Sequence, residues 1–248
     1  MADDEFYTPL SVVESELQHY DLSEMKVYCP CDAGWSAFYK YFREPGRCKA
    51  LARSSCDFRY YKAQDIMSRC DVVVTNPPFS LYGKFLDQIK SYDKKFLLIC
   101  HLTNVDTFIR KLGGSGFWAG GPVKEPFDRP DGSKQSVNTL WVTNLEHDRT
   151  PRPLPGYMRY DPYKYEFTDC GVLHVRRIPD IPIDYEGWMA VGESYIKYHD
   201  PQVFELADRA IHPSIRGRNI YKRLLIRRKQ RLALDPGSNP KTAGSAII

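Results

Sequence analysis

The chain has 248 residues, 42% of them hydrophobic, and its 12 Phe, 17 Tyr and 4 Trp supply enough apolar material for a packed core, which excludes a wholly disordered chain. No apolar run approaches the roughly 20 residues needed to span a bilayer. The formal net charge of +4 is unevenly spread: nine Lys/Arg and no acid lie between Arg209 and Arg231, whereas the first 24 residues carry seven Asp/Glu and no Lys or Arg.

The acidic start, Met1-Ala2-Asp3-Asp4-Glu5, has no hydrophobic segment after it and does not read as a secretory signal. Seven cysteines, an odd number without a leader, read as free thiols of a reducing compartment, so a cytoplasmic protein is expected. Cys29-x-Cys31 is the one close pair and has no second knuckle or nearby His, so no metal site is expected. Phe6-Tyr7-Thr8-Pro9 precedes a first helix, for which Ser11 and Glu14 read as a capping box and Leu10, Val13, Leu17 and Tyr20 as the apolar face. A strand over Lys26–Cys31 turns through Asp32-Ala33-Gly34, and Ser36 then caps a helix that buries Ala37, Phe38, Tyr41 and Phe42. Cys48 to Tyr61 reads as one strand and its exit. Asp71–Thr75 is a continuous apolar run, as expected of a strand buried on both faces. After Asn76-Pro77-Pro78-Phe79, Ser80 opens a helix with Phe85, Leu86 and Ile89 inward, and Phe96–Cys100 is another buried strand. Strands alternating with helices predict an α/β fold with a doubly wound, mostly parallel sheet.

Beyond Leu112 the pattern changes. Gly116–Gly120 and Thr139–Thr143 read as two strands joined by a polar loop, Lys124–Gln135. From His147 the chain is rich in Pro, Tyr and charge, and Asp235–Ile248 reads as a disordered tail. Three parts are expected: 1–146, 147–231 and 232–248. The basic run admits two readings, a contact for a polyanion or a solvated edge strand over Asn219–Arg227.

Asn76-Pro77-Pro78-Phe79 is the most informative motif, since Asn-Pro-Pro-aromatic arises by chance in about one chain of this length in several hundred. Two prolines can simply end a strand. At the carboxyl edge of a parallel sheet, where α/β ligands bind, they also stiffen a loop whose carbonyls are aimed into a site. Such a loop suits methylation of an amino group conjugated into a ring. The Asn76 oxygen and the Pro77 carbonyl each accept one N–H of the amine and stabilise the positive charge that develops on it. Phe79 stacks on the planar base. A base inside a duplex cannot reach the loop and must be flipped out. For a nucleotide-like donor, Asp32 is either a ligand or an ordinary turn residue, and Asp57-Phe58 is either a carboxylate and ring for an adenine or a plain strand end.

Taken together, Asp4–Pro9, Val27–Asp32, Phe38–Phe42, Asp57–Arg59, Val72–Ser80, Trp141–His147, Ile181–Gly187 and Asn219–Lys229 resemble the EcoRI-type adenine-specific DNA methyltransferases, in the same order along nearly the whole chain. The resemblance implies a Rossmann-like core using S-adenosylmethionine, adenine N6 in DNA as acceptor, and a target-recognition region over 147–231. Carried over by position, Asn76, Pro77, Pro78 and Phe79 are the catalytic loop. Tyr7, Thr8, Pro9, Asp32, Asp57, Phe58 and Asn76 bind the cofactor. From the basic run, Arg218, Lys222, Arg223, Arg227 and Arg228 are the expected DNA contacts. One departure stands out: between Phe42 and Asp57 there is room for one strand, not two, and no acid other than Glu44. Two other readings are methylation of RNA or of a protein amide, and a non-catalytic nucleic-acid-binding relative. The chain has no segment large enough for a cleavage domain, so a restriction endonuclease partner is expected to be a separate protein.

Overall fold

Pro9, with its fixed φ, starts α1 (Leu10–Leu17), which buries Val12, Val13 and Leu17. The capping box is not formed: the helix begins one residue earlier than Ser11, whose hydroxyl donates to the Glu125 carboxylate at 2.7 Å instead. Leu10, expected on the inner face, is exposed. The computed structural model describes residues 5–54, 56–113, 117–147 and 152–229. After α1 come β1 (Lys26–Pro30), α2 (Ala37–Phe42), β2 (Ala50–Ser54), α3 (Tyr61–Arg69), β3 (Val72–Thr75), α4 (Tyr82–Ser91), β4 (Lys95–His101) and α5 (Val105–Leu112). Ser36 caps α2 by accepting the Tyr39 N–H at 3.2 Å. Only β2 lies between α2 and α3, as the short interval requires.

The chain then runs through β5 (Trp118–Pro122), β6 (Phe127–Asp128), β7 (Lys134–Gln135) and β8 (Thr139–Thr143). Six strands form one sheet in the order β2-β1-β3-β4-β8-β5, with β1 to β4 parallel and β8 antiparallel to its neighbours. All four residues of β3 are buried, Val73 in one apolar cluster and Val72 and Val74 in another, so both faces of the sheet are covered. The stretch expected to be a plain polar loop contains the β6–β7 hairpin, whose Asp128 pairs with Tyr7 (N···O 2.8 and 3.0 Å) and ties down the amino-terminal segment.

After 147 no α-helix forms among the described residues. A second sheet is built from β9 (Glu166–Phe167), β10 (Leu173–His174), β11 (Met189–Val191), β12 (Phe204–Leu206) and β15 (Leu224–Arg228), in the order β12-β15-β11-β10-β9. A short hairpin, β13 (Ser214–Ile215) with β14 (Arg218–Asn219), stands apart from it. The edge-strand reading of the basic run is corrected here: β15 lies between β12 and β11, with Leu224 and Ile226 buried on its inner face. Leu173, Met189, Val191, Phe204, Leu224 and Ile226 share one apolar cluster with Tyr28 and Val73 of the larger sheet and Phe108 of α5. The tail expected over 232–248 lies outside the described residues. No helix among the described residues is long and apolar enough to cross a membrane.

Candidate active site

The strand order places β2 on one side of β1 and β3 on the other. Between two strands whose connections leave in opposite directions a crevice opens at their carboxyl ends, and ligands of open α/β sheets bind there. Asp32 follows β1 by two residues and Asn76 follows β3 directly. Thr75 ties the two ends together, its hydroxyl 2.7 Å from the Pro30 carbonyl and 2.8 Å from Asp32 Oδ2. The amino-terminal segment held by Asp128 forms a further wall. The resulting cleft, about 430 Å³, is lined by Tyr7, Thr8, Pro9, Asp32, Trp35 and Asn76 among others, within the size range of small-molecule sites.

The Asn76 side chain is held by one end only. Its Nδ2 donates to the Phe6 carbonyl at 3.1 Å, while Oδ1 is buried and has no partner among the described residues. The Thr8 hydroxyl, in the same cleft, has none either. An unmet buried acceptor costs about 1–3 kcal/mol, so such atoms are rare in folded proteins and call for a reason. Next along the loop, Pro77 is buried and Phe79 half-buried. The Phe79 ring lies 5.6 Å from Phe6 and 5.4 Å from His101, and its carbonyl accepts from Asn104 Nδ2 at 3.0 Å. Burial pushes the Asp32 carboxyl up to about 7, against the opposing pull of its hydrogen bonds with Thr75 and Ser36. Trp35 meets Tyr7 edge to face at 4.6 Å and leaves 53% of its surface exposed at the mouth.

The model of the family described as adenine-specific methyltransferase EcoRI matches residues 47–121 and 123–235, well over half of the chain and including the Asn76–Phe79 loop. The chain belongs to that family. It is an adenine-specific DNA methyltransferase. It is similar to the type II methyltransferase M.EcoRI of Escherichia coli, at 28% identity covering 92% of this chain and 94% of that one. M.MpnI of Mycoplasma pneumoniae is 24% identical, covering 84% and 83%, and M.MgeORF184P of Mycoplasma genitalium is 21% identical, covering 84% of each. The alignment with M.EcoRI runs over 312 residues, more than this chain contains, so that relative carries internal segments absent here.

In this methyltransferase the expected cofactor residues fall into two groups. Tyr7, Thr8, Pro9, Asp32 and Asn76 meet in the cleft, although the first four lie before the residues that the family model matches. Asp57 and Phe58 do not line it. Phe58 is 1% exposed and packs edge-on against Phe85 at 5.1 Å, while Asp57 holds Arg59 (Nε···Oδ1 2.9 Å). Of the expected DNA contacts, Lys222 pairs with Glu193 at 2.7 Å and Arg223 is half-buried, with Nη2 3.5 Å from His174 Nε2. Arg227 pairs with Glu205 at 2.6 Å beneath the Trp188 ring, and Arg228 lies over Phe204. Arg218 alone of the five is exposed, with no side-chain partner among the described residues. Sequence reasoning missed Trp35, whose position just after Gly34 in the turn was a usable signal. Phe6 belongs to the expected Asp4–Pro9 segment, but its hold on Asn76 runs through a backbone carbonyl, a role that no residue type announces.

Proposed function

We propose that the cleft between β1 and β3 holds S-adenosylmethionine, and that the Asn76–Phe79 loop directs methyl transfer to N6 of an adenine flipped out of duplex DNA. The observation that carries this reading is the free, buried Oδ1 of Asn76, fixed in direction by the Phe6 carbonyl. The cleft suits the cofactor chemically. Thr8 offers an unpaired hydroxyl, Asp32 a carboxyl for a positive charge, and Tyr7 with Trp35 an aromatic wall. When bound, S-adenosylmethionine supplies an electrophilic methyl group on a sulfonium centre.

The adenine amine is a poor nucleophile because its lone pair is delocalised into the ring. Asn76 Oδ1 and the Pro77 carbonyl accept its two N–H bonds, favour a pyramidal nitrogen and stabilise the growing positive charge. Phe79, braced by Phe6 and His101, holds the ring plane in line for attack. The proton of the newly methylated nitrogen is acidic enough to pass to water, so no strong base is needed. In this reading residues up to about 146 form a Rossmann-like core and 147–231 recognise the target. The enzyme works in the cytoplasm.

Asn76→Ala tests the central step. Nucleoside mass spectrometry of DNA incubated with donor should show N6-methyladenine with wild type. For the variant kcat should fall by about 10²–10³-fold, with calorimetric donor affinity kept within a few fold. Wild-type turnover in the variant would remove Asn76 from the chemistry.

A further inference from the structure

The β13–β14 hairpin pairs Ser214 with Asn219 and Ile215 with Arg218, leaving Arg216 and Gly217 as a two-residue turn. Their φ angles are +52° and +73°, the signs of a type I′ turn, in which both central positions favour Asn, Asp or Gly. Gly217 fits this rule. Arg216 does not, because a long side chain sits in the left-handed region only with local strain, and such strain collects at functional positions.

The strained turn is held from outside. Asp169 Oδ1 accepts the Arg216 N–H at 2.7 Å, and Oδ2 accepts the Gly217 N–H at 3.0 Å and the Ser214 hydroxyl at 2.6 Å. The Asp169 N–H donates in turn to the Ser214 carbonyl at 2.8 Å. One carboxylate therefore fixes the whole tip while both arginine side chains stay in solvent. The Arg216 side chain is 84% exposed, with a single 3.5 Å contact to Glu166, an acid already taken by Arg176 at 2.7 Å. The Arg218 side chain, also exposed, has no partner among the described residues. Lys222, Arg223, Arg227 and Arg228 of the same basic run are engaged within the fold.

We infer that the Arg216-Gly217 turn is a DNA-contacting finger that sets Arg216 and Arg218 against backbone phosphates of the bound duplex. This rests on the reading that the enzyme acts on duplex DNA. Phosphate contacts position a protein without reading sequence, so the effect of losing them is uniform across sequences.

Fluorescence anisotropy of labelled duplexes over a salt series tests it with the full chain. Arg216→Asn is the informative variant, since Asn suits the turn better than Arg and removes only the cation. Arg216→Asn and Arg218→Gln should each make the slope of log affinity against log salt shallower by about 0.9, and the double variant by about 1.8, on unrelated sequences alike. Melting temperature and calorimetric affinity for S-adenosylmethionine should not fall. Slopes parallel to wild type in the folded variants would overturn the finger and leave the methyltransferase reading intact. A wild-type protein with no affinity for duplex DNA would overturn both.

Discussion

Asp32 sits where the donor's positive charge is expected, and its surroundings keep it partly protonated near neutrality. The Thr75 hydroxyl has one hydrogen and two oxygen neighbours, the Pro30 carbonyl and Asp32 Oδ2. When that hydrogen serves Pro30, the contact with Asp32 needs a proton on the acid. Burial raises the Asp32 pKa from 3.8 to about 7, so the folded protein holds this proton over a pH range in which the unfolded chain has lost it. The associated stability is therefore fully present below pH ~4 and is lost as pH rises through about 7. Cation binding runs the opposite way, because it favours the ionised acid. Calorimetric affinity for S-adenosylmethionine should rise by up to about tenfold between pH 6 and pH 8, whereas Asp32→Asn should remove that component. A wild-type profile that matches the variant would separate Asp32 from the donor.

At the scale of elements, β15 shows how a charged strand serves as scaffold. Leu224 and Ile226 enter the core, and the alternate face carries Arg227, ion-paired with Glu205 of β12 and covered by Trp188. Both members of the pair are partly in water, so it contributes at most about 1 kcal/mol, with a similar amount from the ring contact. Arg227→Gln with Arg228→Gln should lower the urea midpoint by the equivalent of about 1–2 kcal/mol and leave the salt slope of DNA binding unchanged. A shallower slope at full stability would place these arginines on phosphates instead. The basic run was visible in the sequence as a run. Its division into engaged and solvent-facing charges was not, because the acids and rings involved, Glu193, Glu205, Trp188 and Phe204, lie elsewhere in the chain and reach it only through sheet pairing.

Across the whole molecule, the two sheets are not separate bodies energetically. Tyr28 and Val73 of the larger sheet share an apolar cluster with Leu173, Met189 and Ile226 of the smaller one. Exposing either sheet alone would leave that shared surface in water, at roughly 25 cal/mol per Å². Thermal unfolding followed by near-UV and far-UV dichroism should therefore give one coincident transition. Two separated transitions would show that the regions divided near residue 147 fold independently.

Sequence by itself determined helices α1, α2 and α4 and the strands up to Cys100, though not α3 or α5, together with the buried strand Val72–Thr75, the Ser36 cap and the Asn76–Phe79 loop. Each is written in a window of a few residues, where side-chain period, proline geometry and hydroxyl capping act locally. It also showed that one strand, not two, fits between Phe42 and Asp57, a matter of chain length alone. Tertiary structure decided the rest. Phe58 looked like a ring for a cofactor, but the helix α4 that follows β3 brings Phe85 against it and buries it in the core. Phe6, Asp32, Asn76 and Asp128 become one site because strand order and the Tyr7–Asp128 pairing close distances of up to 122 residues along the chain. The left-handed turn at Arg216 exists because Asp169 arrives from another strand connection to hold it. Such contacts depend on which surfaces pack together, and short-range pattern does not encode that.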